Sequence, residues 1–168
     1  MSARPGTRRW LRASLVAGAV VGLATLARAD APSDQYEFFD LTTTVIQDLR
    51  TGLYWQRYPP ATGVSFAGAA AYCASLVPDG GGPAWRVPSY KELLTLVDES
   101  PHTEYTGGQL QQKAIDGNAF PQIPVDLSYV TSSVYPGTPS GYVYTVDFHN
   151  GLPGAADATQ SFYVRCVY

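Results

Sequence analysis

Apolar and polar positions change their period several times along this 168-residue chain. Residues Thr42 to Gln47 (Thr-Thr-Thr-Val-Ile-Gln) are rich in β-branched side chains and predict a strand. Asp48-Leu49-Arg50-Thr51-Gly52 is turn chemistry, and Leu53 to Arg57 returns as an alternating strand, giving a β-hairpin. From Ser65 the period becomes helical, because Phe66, Ala69, Ala70, Cys73 and Leu76 fall on one face behind a serine suited to cap it. Asp79 to Pro83 breaks that helix. Ser89-x-x-Glu92, preceded by Pro88, is a capping box for a second helix carrying Tyr90, Leu93, Leu94 and Val97. Periodicity then dissolves from Glu99 to Pro139, which predicts either a long binding-loop region or hidden structure. Gly141 to Phe148 alternates cleanly as a strand, His149-Asn150-Gly151 turns it, and Ser161 to Tyr168 predicts a last strand. A strand pair, two helices, long loops and further strands make an α+β domain.

The first 29 residues stand apart. Arg4, Arg8, Arg9 and Arg12 precede an apolar run from Ala13 to Leu26, and Ala27-Arg28-Ala29 supplies small residues at the two positions a signal peptidase reads. The run is about 14 residues, short of the roughly 20 that cross a bilayer. Residues 1–29 are therefore expected to be a signal peptide, residues 30–40 a flexible lead-in, and residues 41–168 the folded domain. The protein is expected in the periplasm or outside the cell, with no transmembrane segment after cleavage. Removing the signal takes five of the eleven basic residues and none of the fourteen acidic ones, leaving a net charge of −8. Nucleic acid and other polyanions are poor partners for such a field, since their binding relies on lysine and arginine.

Only two cysteines occur, Cys73 and Cys166. An even count in an exported chain favours a disulfide, the alternative being two free thiols. His102 and His149, the only histidines, lack metal-ligand spacing, and Ser132 and Ser133 lack a nucleophile context; both pairs are expected to be structural or surface residues. Trp55 and Trp85 are expected in the core, and Arg86 and Arg165 as partnered structural cations. Asp98, Glu99, Asp116 and Asp126, with Glu104, are weak calcium candidates from the loop region, although calcium needs six to eight oxygens. Tyr105, Tyr129, Tyr135 and Tyr142, with Tyr144, crowd the loop half, where aromatic faces can stack on sugars or anchor protein partners. No cofactor is expected.

Several motifs in order resemble the Lcl C-terminal domain family, which is named from a bacterial collagen-like adhesin. Asp48, Thr51, Gly52, Leu53 and Trp55 match its hairpin; Ala69, Tyr72, Cys73 and Leu76 its first helix; Trp85 to Leu93 its W-R-L-P-[ST]-x-x-E-L run, with Val87 replacing leucine. Ile115, Asp116, Phe120 and Pro121, then Thr131 to Ser133, Val146 to Gly151 and Val164 to Val167 complete the set. The chain departs from the family at Val130 and Tyr144, where members carry tryptophan. A looser similarity to the C-type-lectin-like fold implies two helices packed on small antiparallel sheets, long irregular loops, and a helix cysteine bonded to one in the last strand. What the resemblance implies is a non-catalytic extracellular binding or adhesion module for a glycan or protein ligand. The relative's taste for sulfated polysaccharides does not transfer to a chain this acidic. An enzyme with a cryptic loop-borne site and a structural envelope component are the alternatives.

Overall fold

The computed structural model describes residues 32, 34–39, 44–77, 83–106, 108–124, 126–137 and 141–168; the signal peptide read over residues 1–29 lies outside them. β1 (Tyr36–Phe38), β2 (Val45–Asp48) and β3 (Tyr54–Gln56) form an antiparallel sheet in that order. The β2–β3 hairpin is the one expected, and its turn explains the motif. Asp48 is buried and accepts from the Arg50 N–H at 2.9 Å and the Thr51 hydroxyl at 2.8 Å, while Gly52 takes a positive φ of 73°. β1 was not expected. The lead-in read as flexible supplies it, pairing Tyr36 with Asp48 and Phe38 with Ile46, so the folded unit begins before residue 41.

β4 (Val64–Ser65) leads into α1 (Phe66–Ser75), whose Ser65 cap accepts from the Gly68 N–H at 3.1 Å. α1 buries Ala69 and Cys73, and Cys73 is disulfide-bonded to Cys166. α2 spans only Tyr90–Leu94. Its capping box is complete: Ser89 Oγ accepts from the Glu92 N–H, and Glu92 Oε2 accepts from the Ser89 N–H at 2.7 Å. The Glu92 carboxylate also receives both Arg86 amino groups, at 2.9 and 2.7 Å, and those bonds hold its pKa down at about 2 despite partial burial. Val97, expected on the helix, lies beyond it, because the following bonds (Leu96 N to Leu93 O, Val97 N to Leu94 O) have three-residue spacing.

The stretch from Glu99 to Pro139, which has no readable period, hides three strands. β5 (His102–Thr106) and β6 (Gln109–Lys113) form a hairpin, and β7 (Tyr129–Val134) joins β8 (Tyr142–Asp147) and β9 (Leu152–Asp157) in an antiparallel sheet with β8 central. The predicted last strand is broken up. β10 (Ser161–Phe162) pairs with β4, and the chain then bridges Tyr163 to Tyr129 before Val167 bridges both Trp55 and Arg86.

Two apolar clusters sit on opposite faces of the β7–β8–β9 sheet. Val146 and Tyr129 pack with Leu93, Leu96, Trp55 and Phe120 on the α2 side. Val130 and Val143 pack with Ala69, Cys73, Trp85 and Cys166 on the α1 side. Trp55 and Trp85 are both core, as expected. Arg165 is fully buried; it donates to Gln56 O at 2.7 Å and Arg57 O at 2.6 Å and lies 4.7 Å over the Phe120 ring. Desolvation pushes its pKa down. Both arginines are thus structural cations with partners.

Candidate tyrosine recognition face

Along β8 the side chains alternate, with Tyr142, Tyr144 and Val146 on one face and Val143 and Thr145 on the other. α2, barely more than one turn long, covers the Val146 end of that face and leaves the tyrosine end open. Tyr90, the first residue of α2, stacks on Tyr144 with centroids 4.4 Å apart and planes 19° from parallel. Tyr135 stands edge-on to Tyr144 at 5.2 Å and 80°. All four tyrosines are half-buried. Their backbone is fixed from behind: the Tyr90 N–H donates to Ser133 Oγ at 3.0 Å, Thr131 Oγ1 to Tyr144 O at 2.8 Å, and the Tyr135 N–H to Tyr142 O at 2.9 Å. Gly137 lies against the Tyr135 ring so closely that a Cβ there would collide with Cε1. The glycine is what lets that ring fold back over its own loop. Ser132 and Ser133, bonded to Pro88 O and Tyr90 N, are strand hydrogen-bonding residues as expected.

Of the tyrosines singled out in the sequence, the structure brings Tyr135, Tyr142 and Tyr144 to one face. Tyr129 does not belong there. It is fully buried against Phe148, Tyr163 and Arg165, its pKa pushed up to about 12 by that burial, so it is a core residue rather than a ligand contact. Tyr105 is 75 % exposed but sits on the β5–β6 hairpin, opposite the equally open Leu110. Tyr90 was read only as a helix residue. The register of the capping box, which sets it at the first helical position beside β8, is a signal the sequence does not carry alone.

The carboxylates gather only in part. Asp98, Glu99 and Asp116 line one cleft of about 500 Å³ with Tyr36, Arg50 and Thr51, whereas Asp126 lies apart, near Tyr163. Asp98 Oδ1 already accepts from the Ser100 N–H, and Asp116 Oδ1 from the Asn118 and Ala119 N–H groups. Among the described residues no three His, Cys, Asp or Glu side chains are arranged to hold a metal ion. Glu104 is committed at the hairpin base, with Lys113 Nζ at 2.7 Å and His102 Nε2 at 2.9 Å. Burial works to raise its pKa, but these two partners outweigh that and lower it. Both Glu104 oxygens are thus occupied inside the protein, an arrangement that holds the base of the hairpin.

The described residues make, then, a small, mostly β domain with two helices and one disulfide. The chain belongs to the Lcl C-terminal domain family, whose model matches residues 44–168. No curated protein and no solved structure matches it.

Proposed function

We propose that this chain is an exported, non-catalytic binding module, with a C-type-lectin-like architecture, that recognises a glycan or protein outside the cytoplasm through its tyrosine face. The observation that carries the reading is the uncovered half of the β7–β8–β9 sheet, tiled by Tyr90, Tyr135, Tyr142 and Tyr144. Tyrosines on rigid elements present broad amphipathic area with little side-chain entropy to lose, which suits them to recognition. Export is supported by the signal-like leader and by the Cys73–Cys166 disulfide, a bond that persists in oxidising compartments. No helix among the described residues is long and apolar enough to cross a membrane. Non-catalysis is supported by the internal pairing of Glu104, His102 and Lys113 and by the structural roles of both cysteines and of Ser132 and Ser133.

A glycan and polysaccharide array together with a panel of exported proteins, run with calcium and with chelator, tests the reading. Binding that survives chelation and falls on Tyr135→Ala and Tyr144→Ala supports it. Binding lost in chelator moves recognition to the cleft of Asp98, Glu99 and Asp116. Ligands that bind equally well after both tyrosine substitutions remove the tyrosine face from the function.

A further inference from the structure

β9 forms the outer edge of its sheet, and its proline fixes which way each backbone group points. The pairing register sets Val146 opposite Pro153, Thr145 opposite Gly154 and Tyr144 opposite Ala155. Pairs that exchange both N–H···O bonds alternate along an antiparallel ladder with pairs that exchange none. Proline has no N–H, so Val146 and Pro153 form a non-bonded pair. Two residues on, Tyr144 and Ala155 are again a non-bonded pair, and so are Tyr142 and Asp157. The N–H groups of Ala155 and Asp157 and the C=O groups of Pro153 and Ala155 therefore turn outward. β9 has no second neighbouring strand among the described residues, and Leu152 to Ala155 are all exposed.

Exposed edges are usually guarded by lysine, by inward charges or by a covering element. This one carries Leu-Pro-Gly-Ala-Ala with no charge before Asp157. Pro153 removes a single donor, which leaves room for a short strand and fixes its register. The side chain beside Tyr144 is the small Ala155, and side chains in a non-bonded pair stand close together. A strand laid along β9, about 4.8 Å away, could pass a long side chain over Ala155 onto the Tyr144 ring. At the next position on that face it would meet Asp157, half-exposed and with its Oδ1 accepting from the Thr159 N–H and hydroxyl, and the Tyr142 ring beside it. A carboxylate next to an aromatic face favours lysine or arginine, and an acidic chain attracts a basic partner.

We infer that β9 is a strand-addition site for an extended, basic segment of a protein partner, which pairs with the outward groups of Ala155 and Asp157 and lays its side chains on Tyr144 and Tyr142. This rests on the tyrosine-face reading and deepens it by naming the partner's class.

The test is a displayed library of random peptides panned on the purified protein, with the enriched peptides then measured individually. The enriched sequences should alternate lysine or arginine with another residue, and their binding should protect the Ala155 amide from hydrogen exchange. Ala155→Pro removes the outward N–H and leaves the β8 ladder intact, so affinity should fall roughly tenfold, the equivalent of one or two backbone bonds. Ala155→Trp keeps every backbone bond, fills the shelf beside Tyr144 and should weaken binding comparably. No enrichment of such peptides, or binders indifferent to both Ala155 variants, overturns strand addition. If a ligand from the array loses affinity on Tyr135→Ala yet ignores Ala155→Pro, strand addition falls while the tyrosine face stands. Neutral oligosaccharides with that behaviour would assign the face to sugar. Indifference to both sets of variants overturns both readings.

Discussion

Replacing Cys73 and Cys166 together by alanine should remove a large share of this domain's stability. The bridge spans a sequence separation of 93, for which the chain-entropy relation gives roughly 4.6 kcal/mol at 25 °C. Residual structure in the unfolded chain lowers that figure. Loss of two fully buried sulfur atoms from the cluster of Ala69, Trp85 and Val164 adds about 1 kcal/mol in the other direction. The expected loss is therefore about 3–5 kcal/mol, a large share of the roughly 5–15 kcal/mol typical of a whole domain. For a unit of this size each kcal/mol moves Tm by roughly 3–5 °C, so Tm should fall by about 10–20 °C. Urea unfolding of the oxidised protein, the reduced protein and the double variant, followed by tryptophan fluorescence, separates the two contributions. Reduction removes the loop constraint alone, and the variant removes the constraint and the packing. Should the oxidised and reduced proteins differ by less than about 1 kcal/mol, the assignment of stability to loop closure is wrong, and the bridge would matter only for packing.

Other perturbations follow from single residues. The Glu92 pKa is held at about 2 against about 4.3 unfolded, so the stabilisation is fully present above pH 5 and lost as pH falls from about 4.3 toward 2. Because Arg86 is half-exposed, that contribution should be about 1 kcal/mol, and an acid titration of stability for Glu92→Gln should be flatter over this window than for the wild type. Arg165→Met leaves the Gln56 and Arg57 carbonyls without their buried donor and should cost roughly 3 kcal/mol in denaturant melts, with Arg165→Lys recovering little because an ammonium cannot lie flat over Phe120. Gly151→Ala should destabilise by about 2–3 kcal/mol, since its φ is +74° and a Cβ would press within 2.9 Å of Val97 Cγ1. Gly108→Ala, at φ +84° with nothing near, should cost only about 1 kcal/mol, and thermal melts of the pair check the difference.

The parts of the fold that the sequence announces are those where one residue type has one physical job. Ser65 and Ser89 mark helix starts because their hydroxyls satisfy N–H groups that nothing else can reach, and Asp48 with Thr51 and Gly52 marks the first hairpin turn. β8 shows itself because β-branched and aromatic residues fill it, with Val143 and Thr145 buried on one face and Val146 on the other. The β5–β6 hairpin stays hidden for the opposite reason. Gln109 to Gln112 have no deeply buried residue among them, so no apolar alternation is imposed, and a Glu104–Lys113 ion pair holds the base. β1 is only three residues long and its outer side chains are exposed. Tyr129 was misread because a strand tyrosine gives no hint of what lies above it; here the segment from Tyr163 to Arg165 covers it. The tyrosine face was half legible, since the clustering of tyrosines in the sequence is real, but the partnership of Tyr90 with Tyr144 depends on where α2 lands.

The placement of Val164 to Val167 bears on when this protein can fold. These four residues are buried, and Val167 is wedged between Trp55 and Arg86, exchanging both backbone bonds with Arg86 while Tyr168 exchanges both with Tyr54. This stretch therefore ties the first hairpin to the Trp85 segment through backbone hydrogen bonds, alongside the side-chain packing of Val45 and Trp85 in one cluster. A folding intermediate in which residues 164–168 have not docked lacks both the backbone bonds that join these two parts and the cysteine that closes the covalent loop, so docking of this segment and formation of the Cys73–Cys166 bond are one coupled event.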